Sequence, residues 1–208
     1  MATKIFTVAI LLITAMATTF STCKKGGLGC ANTVYNFQIG ENITPDKDSV
    51  RTGDTIFLSV KTPNKLNDVQ TGNSVDYSNA SNLGNVVSLF KFLSENNSRG
   101  AINNFKLVLL KGTELNAVDP LSQKEFLFVE ENGFYRFNLA IIAEDTGRYV
   151  VTIGNAANVY RKNDQCTKAG FTINFEATDQ HFYLLKLWRP DLILDDQGKT
   201  KVYYFKVY

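Results

Sequence analysis

From residue 31 onward, apolar and polar side chains alternate in short runs that are separated by turn-forming residues. The alternation is clearest in Thr33–Ile39, Asp54–Val60 and Phe134–Ile142. A period of two residues places successive side chains on opposite faces of an extended chain, and so it predicts strands with one buried face. Asn132-Gly133, between two such runs, predicts a two-residue hairpin turn. The chain is therefore expected to be all-β.

About ten short strands at intervals of about 8–12 residues predict a β-sandwich or a barrel. A chain of 208 residues, 44% of them hydrophobic, is long enough to bury one sizeable core. Residues 63–83 are polar and rich in Asn, Ser and Asp, which favours a long loop. Gln180–Trp188 fits a strand or a short helix, and we favour the strand. Asp195–Gly198 is typical of a hairpin turn.

The amino-terminal residues have the pattern of a secretory signal peptide. Lys4 supplies a positive charge, and Ile5–Ala17 is an uncharged apolar run that is too short to span a membrane. Ala15-Met16-Ala17 is a small-residue cleavage site that would release a soluble secreted protein. Alternatively, the chain is cleaved before Cys23, which is preceded by Phe20-Ser21-Thr22 and followed by two lysines.

The second pattern resembles the signal peptides of small secreted lipoproteins of Bacteroidetes, which often end in a Ser/Thr-rich stretch and Cys-Lys-Lys. The resemblance implies that residues 1–22 are removed and that Cys23 is lipidated. Cys30 and Cys166 then remain as an even pair, which predicts a disulfide in an oxidising compartment. Residues 23–30 would form the lipidated cysteine and a flexible tether, and residues 31–208 would form a single domain.

Ala143–Val151 contains the spacing Asp145-x-Gly147-x-Tyr149. This spacing resembles the D-x-G-x-Y signature of immunoglobulin-like domains, in which the tyrosine begins strand F and its hydroxyl bonds to backbone at the preceding turn. The resemblance implies an immunoglobulin-like β-sandwich in which Asp145, Gly147 and Tyr149 form a structural tyrosine corner. Its hydroxyl acceptor is expected within residues 142–145.

Other segments follow the same family order. Val50–Leu58 resembles the entry to strand B, and Phe137–Ile141 lies where strand E is expected. Cysteines at the antibody-type positions of strands B and F are absent, and Trp188 follows the corner instead of preceding it. The resemblance is therefore to the architecture and not to antibody domains. Residues 158–196 have no counterpart and are expected to form an insertion before a last strand, Lys201–Tyr208.

The sequence contains little material for catalysis or for a cofactor. His181 is the single histidine, and zinc-binding, phosphate-binding and serine-nucleophile motifs are absent. Glu130-Glu131 are neighbours on a predicted strand and so point to opposite faces, which argues against an acid–base pair. Asp195-Asp196 could hold calcium, but a turn explains them better. We therefore expect no catalytic residue, no metal and no other cofactor.

Twenty-two basic and 20 acidic residues are spread along the chain and give a net charge of +2, which argues against a nucleic-acid partner. Ser49 and Thr55 lie in short motifs that resemble the O-glycosylation sites of Bacteroidetes. Several tyrosines could form a sugar-stacking platform, although packing within strands is the default. These are Tyr35, Tyr77, Tyr160, Tyr183 and Tyr203.

Together these features favour a non-enzymatic lipoprotein of the bacterial envelope, held at the outer membrane by its N-terminal lipid on the periplasmic or the surface side. It would act as a binding or accessory module for a protein or glycan. One alternative is a glycan-processing enzyme whose carboxylates come together in one cleft. Another is a purely structural or inhibitor-like envelope protein. The alternative to a lipid-anchored protein is a soluble protein that is secreted or periplasmic.

Overall fold

The computed structural model describes residues 34–95, 97–116, 119–155, 159–176, 179–193 and 195–208, except for the side chains of residues 165, 166 and 197. The strands are β1 (Val34–Thr44), β2 (Ser49–Val50), β3 (Thr55–Pro63), β4 (Lys65–Asn67), β5 (Ser74–Asp76), β6 (Ala80–Ser81), β7 (Gly84–Ser94), β8 (Asn97–Gly100), β9 (Phe105–Lys111), β10 (Thr113–Leu115), β11 (Gln123–Leu127), β12 (Val129–Glu131), β13 (Phe134–Ala143), β14 (Gly147–Asn155), β15 (Tyr160–Arg161), β16 (Asp164–Phe175) and β17 (Val202–Val207). The helices are α1 (Phe182–Trp188), α2 (Asp196–Lys199) and a 3-10 turn at Ile102–Asn104.

Two sheets pack face to face. The first has the strand order β12-β13-β3-β1-β16-β15-β6, with β9 paired to β13, and the second has the order β10-β11-β7-β14-β17-β2, with β8 paired to β7. Strand β13 lies beside β3 and β9, while β14 lies between β7 and β17. These are the neighbours of strands E and F in an immunoglobulin-like sandwich. The predicted fold class is therefore confirmed.

The pairing of β3 with β13 shows why the sequence alternation leads to this fold. The two strands are antiparallel from Phe134 opposite Pro63 to Ile142 opposite Thr55. Every second residue in the middle of each strand is buried, as a period of two requires. The hairpin predicted at Asn132-Gly133 is present, and both residues have positive φ, 51° and 78°, as a type I′ turn demands.

The core between the sheets is rich in aromatic side chains. Most lie on inward-facing positions of the paired strands, where burial of each large apolar side chain contributes roughly 1.5–3 kcal/mol. The largest fully buried side chains are Tyr77, Tyr135, Tyr149, Tyr203, Phe37, Phe126, Phe137, Phe205, Ile39, Leu58, Leu89 and Leu139.

The insertion lies between β14 and β17, as expected, and contains β15, β16, α1 and α2. Strand β16 pairs in parallel with β1, from Val34 opposite Lys168 to Glu41 opposite Phe175. Strands β15 and β16 of the insertion thus widen the first sheet beyond the strands of the immunoglobulin-like arrangement. The helices α1 and α2 of the insertion are not part of this sheet. Among the described residues, no helix combines the length and the apolar character needed to cross a membrane.

Three local predictions need correction. The strand favoured for Gln180–Trp188 is wrong, because Phe182–Trp188 is α1. Its run is apolar almost throughout, so its pattern has no period that separates a strand from a helix. The hairpin turn predicted at Asp195–Gly198 is also wrong, because the Asp195 carboxylate accepts from the Gly198 backbone N–H at 2.6 Å and caps α2. The loop predicted for residues 63–83 contains the short strands β4, β5 and β6.

Candidate functional site

Helix α1 covers the outer face of the second sheet. Leu184, Leu185 and Trp188 are buried and pack against a cross-strand row formed by Phe90, Val150 and Tyr204. The ring of Trp188 lies 5.4 Å from that of Phe92 and 6.2 Å from that of Tyr204, measured between centroids. The helix therefore covers the outer face of β7, β14 and β17, where these strands carry apolar side chains on both faces.

The opposite side of the same segment is apolar as well. Tyr183 is 45% exposed and Leu187 is 68% exposed on α1, and Leu192 and Ile193 follow at 38% and 90%. We call these four residues the apolar helix patch. A helix with apolar side chains all round is normally buried on all sides, and Lys186 is the one charged residue of α1. The patch thus combines two exposed apolar side chains of α1 with two from the segment that follows it.

A polar cluster fixes the beginning of α1. His181 precedes the helix with a φ of 57° and is 8% exposed. Its Nε2 lies 3.0 Å from the Tyr203 hydroxyl and 3.3 Å from Oδ1 of Asp46, and its Nδ1 lies 3.7 Å from Oδ2 of Asp179. Burial, followed by the hydrogen bond with Asp46, raises the pKa of the Tyr203 phenol. A phenol with a raised pKa keeps its proton and can donate it to Asp46. These contacts are the first fastening of α1 to the sheet.

The second fastening of α1 is Tyr183, whose hydroxyl donates to the Asp48 carboxylate. This hydrogen bond, together with a weaker contribution from the Ser49 hydroxyl, lowers the pKa of Asp48. The fastenings connect α1 to residues 46–48 and to β17, on both sides of its first turn. The first turn of α1 is therefore held to the sheet by His181 and Tyr183.

Glu41 and Asn85 form a polar link between the two sheets. Glu41 on β1 and Asn85 on β7 are both fully buried, and Nδ2 of Asn85 lies 3.0 Å and 2.8 Å from the two carboxyl oxygens. Burial raises the pKa of Glu41 to about 8, although the Asn85 hydrogen bond opposes this rise. Sequence analysis missed this pair because it ended the strand at Ile39, although Glu41 continues the phase of the buried residues Phe37 and Ile39.

The residues expected to form the tyrosine corner lie together at the turn between β13 and β14. The buried Tyr149 hydroxyl donates to the Asp145 carbonyl oxygen at 3.0 Å, within the expected stretch 142–145. The Asp145 carboxylate accepts from Lys91 at 2.6 Å and from Asn104 at 2.5 Å. Gly147 has a φ of 150°, and a Cβ there would lie 2.6 Å from Cε of Lys91. The turn thus requires glycine at this position.

Other residues singled out from the sequence are dispersed. Cys23 and Cys30 lie outside the described residues, and Cys166 lies on β16 with its side chain outside the description. Tyr77 and Tyr203 are fully buried, so the five tyrosines do not form one sugar-stacking platform. The Ser49 hydroxyl donates to Asp48 at 2.7 Å.

The carboxylates of the β12–β13 hairpin border an open pocket of about 470 Å³. Glu130 accepts from Nδ2 of Asn64 at 2.9 Å and from the Asn79 backbone N–H at 2.7 Å. Glu131 pairs with Lys111 at 2.9 Å, and this contact lowers the pKa of Glu131. Both carboxylates thus have hydrogen-bond or ion-pair partners within the domain. In the part of the chain that the structure describes, no three His, Cys, Asp or Glu side chains are placed to hold a metal ion.

No protein-family model and no curated protein sequence matches this chain. Among solved structures it is similar to the human F-spondin reeler domain, at 9% identity and a TM-score of 0.38, over 91% of this chain and 99% of that one. A non-cellulosomal cohesin from Archaeoglobus fulgidus is similar at 12% identity and a TM-score of 0.29, over 73% and 98%. A conjugative transposon lipoprotein from Bacteroides eggerthii is similar at 16% identity and a TM-score of 0.26, over 60% and 90%. At these TM-scores the fold rests on the sheets themselves, and the likenesses carry no argument about function.

Proposed function

We propose that this chain is a lipid-anchored, non-enzymatic binding module of the bacterial envelope, and that its partner is a protein that covers the apolar helix patch. The observation that carries the proposal is that α1 and the segment after it keep four exposed apolar side chains on the side of the helix that the domain does not bury. Exposed apolar side chains that are grouped together mark interaction sites.

The surroundings of the patch favour a protein partner. Charges of both signs surround it: Lys186 lies on the helix, and Arg189 pairs with Asp191 at 3.3 Å. An apolar centre with a polar rim of mixed sign is typical of protein–protein interfaces. The fastenings of His181 and Tyr183 hold α1 in place before binding, which reduces the entropy that association must overcome.

The anchor is proposed from the amino-terminal sequence. Lipidation of Cys23 would leave Lys24–Gly29 as a flexible tether, and Cys30 would pair with Cys166. We expect a Cys23→Ala variant to lose the incorporation of labelled fatty acid and to leave the membrane fraction. A wild-type chain without label would contradict the anchor without affecting the patch.

The patch is tested by a photoreactive benzoylphenylalanine placed at Leu187 in living cells, with the same group at Leu93 as the control. Leu93 is also exposed, at 45%, but lies on β7. We expect one discrete protein adduct at Leu187 that weakens when Ile193→Asp is added, because Ile193 is 90% exposed and its replacement leaves the core intact. The same adducts from both positions, or an adduct that does not respond to Ile193→Asp, would contradict the proposal.

A further inference from the structure

The outer face of the first sheet presents an apolar row that no described helix covers. The register places Phe57 of β3 beside Ala140 of β13, and Ala140 beside Val108 of β9. Phe57 is 38% exposed and Leu110 on β9 is 54% exposed, while Ala140 is buried between its neighbours at 6%. We call the outward-facing residues of these three strands the open face. Since the inner faces of the two sheets pack together, the open face and α1 lie on opposite sides of the sandwich.

The open face is also basic. Strands β3, β9 and β13 contain no Asp or Glu, and they contain four basic residues. These are Lys61, Lys106, Lys111 and Arg136. One carboxylate reaches this face from β12, where Glu131 lies 2.9 Å from Nζ of Lys111 and 3.9 Å from Nε of Arg136. On strands β3, β9, β12 and β13, four basic side chains therefore accompany one acidic side chain on this face, and the carboxylate of Glu176 lies over Gly40 on the neighbouring strand β1.

We propose that the open face lies on an anionic lipid surface, namely the membrane that holds the lipid anchor. The inference rests on the lipidation of Cys23 that is part of the proposed function. Ten residues, 24–33, connect Cys23 to the start of β1, and even fully extended they reach only about 35 Å. A domain of this size has a radius of gyration of about 16 Å. The anchored domain would therefore stay within about its own diameter of the lipid headgroups.

The chemistry of the open face favours lipid over an acidic protein. An anionic bilayer presents a uniform negative potential, which attracts basic residues without requiring a complementary shape. Three of the four basic residues of the open face are lysines, whose long side chains can reach headgroups while their stems lie on apolar surface. Phe57 and Leu110 would contact the interfacial region. The apolar helix patch, with its rim of mixed charge, would then point away from the membrane toward a partner protein.

The test uses the full lipidated chain reconstituted on vesicles of phosphatidylcholine alone and of phosphatidylcholine mixed with phosphatidylglycerol. Benzoylphenylalanine at Leu110 reports contact with lipid as an adduct of phospholipid mass, and the same group at Leu187 serves as the control. We expect the adduct at Leu110 on the mixed vesicles and a much lower yield on phosphatidylcholine. At Leu187 we expect little adduct on either vesicle.

Charge variants show whether the basic residues carry the effect. Neutralising Lys61 and Lys106 together to Gln should lower the yield at Leu110 at least fivefold, since each basic residue near an anionic surface contributes about that factor. Neutralising Lys186 and Lys206 removes the same charge from the other side of the sandwich and should leave the yield unchanged. Equal effects of the two pairs, equal adducts at Leu110 and Leu187, or a protein adduct at Leu110 in cells would overturn the proposal.

The two proposals fail in different ways. Flotation with uncharged phosphatidylcholine vesicles reports the lipid anchor alone, because these vesicles offer no attraction to the basic residues. A chain that floats only with the mixed vesicles and still gives the Leu110 adduct would contradict the anchor and support the open face. A chain that floats with both vesicles but gives no adduct would support the anchor and overturn the open face.

Discussion

The two outer faces of the sandwich differ because one is covered by a helix and the other is not. The second sheet presents Val150 and Tyr204 outward, and α1 covers them with Leu184, Leu185 and Trp188. The first sheet presents Phe57 outward beside Ala140, with basic residues around this apolar row, and no described helix covers that face. An antiparallel sheet tolerates water on one side only if that side is polar enough. How apolar the outer side chains of a sheet are therefore determines whether a helix has to cover them.

The two sheets are joined through the core, and the Glu41–Asn85 link makes that connection sensitive to pH. Burial raises the pKa of Glu41 from 4.5 to about 8. The folded state therefore binds a proton that the unfolded state releases between these values, so the unfolding free energy falls as pH rises from about 4.5 to 8. A shift of this size corresponds to about 5 kcal/mol.

Replacement of Glu41 by Gln removes this titration while preserving the shape of the neutral acid. Urea unfolding should give similar stabilities for wild type and Glu41→Gln at about pH 5, and a more stable variant at about pH 9, by up to about 5 kcal/mol. Taking the difference between the two proteins cancels the titration of the groups that both proteins share. A difference that does not change with pH would show that Glu41 is not the titrating group.

The cover on the second sheet can be broken at Trp188, which is 4% exposed between Phe92 and Tyr204. Trp188→Ala should cost about 3–5 kcal/mol, because it removes a large buried side chain and leaves a cavity. Leu187→Ala, one residue earlier but 68% exposed, should stay within about 0.5 kcal/mol. Equal losses in a urea titration would mean that α1 is not seated as described.

Part of this contrast was accessible from the sequence. Strand β3 alternates except at Phe57 and so predicts one buried face and one face that is largely solvated. The corner around Tyr149 indicated the order of the strands. The sequence indicated the covering helix less directly. Tyr149–Val151 on β14 and Val202–Phe205 on β17 are continuous apolar runs, which indicate strands buried on both faces. A chain with such strands needs an additional apolar element, and Phe182–Trp188 supplies it.

The remaining features depend on contacts between residues far apart in the chain. Glu41 and Asn85 are 44 positions apart, and only the stacking of the two sheets brings them together. The fastening of His181 depends on Tyr203 and Asp46 in the same way. Parallel pairing of β16 with β1 leaves no hairpin signal, because parallel neighbours are joined by long connections. Local patterns therefore predicted the sandwich but neither its buried acid nor the binding surfaces.

Tyr149 tests the turn at which the chain passes from the sheet with the open face to the sheet with the covered face. Its hydroxyl donates to the Asp145 carbonyl oxygen at 3.0 Å and lies 3.1 Å from the donating Nδ2 of Asn104. Tyr149→Phe keeps the buried ring and removes both hydrogen bonds, so we expect a loss of about 1–3 kcal/mol in the free energy of unfolding.

The matched control for this change is Tyr208→Phe. Tyr208 is 63% exposed and interacts with the exposed Arg51, and because water screens such a surface contact, loss of its hydroxyl should cost within about 0.5 kcal/mol. Because the ring that remains in Tyr149→Phe would still fill the space between Phe105 and Phe205, a loss confined to this variant would be assigned to the hydroxyl. Identical urea midpoints for Tyr149→Phe and wild type would show that packing alone holds the turn. The vesicle and cross-linking signals should be unchanged in Tyr149→Phe, because the corner touches neither the open face nor the apolar helix patch.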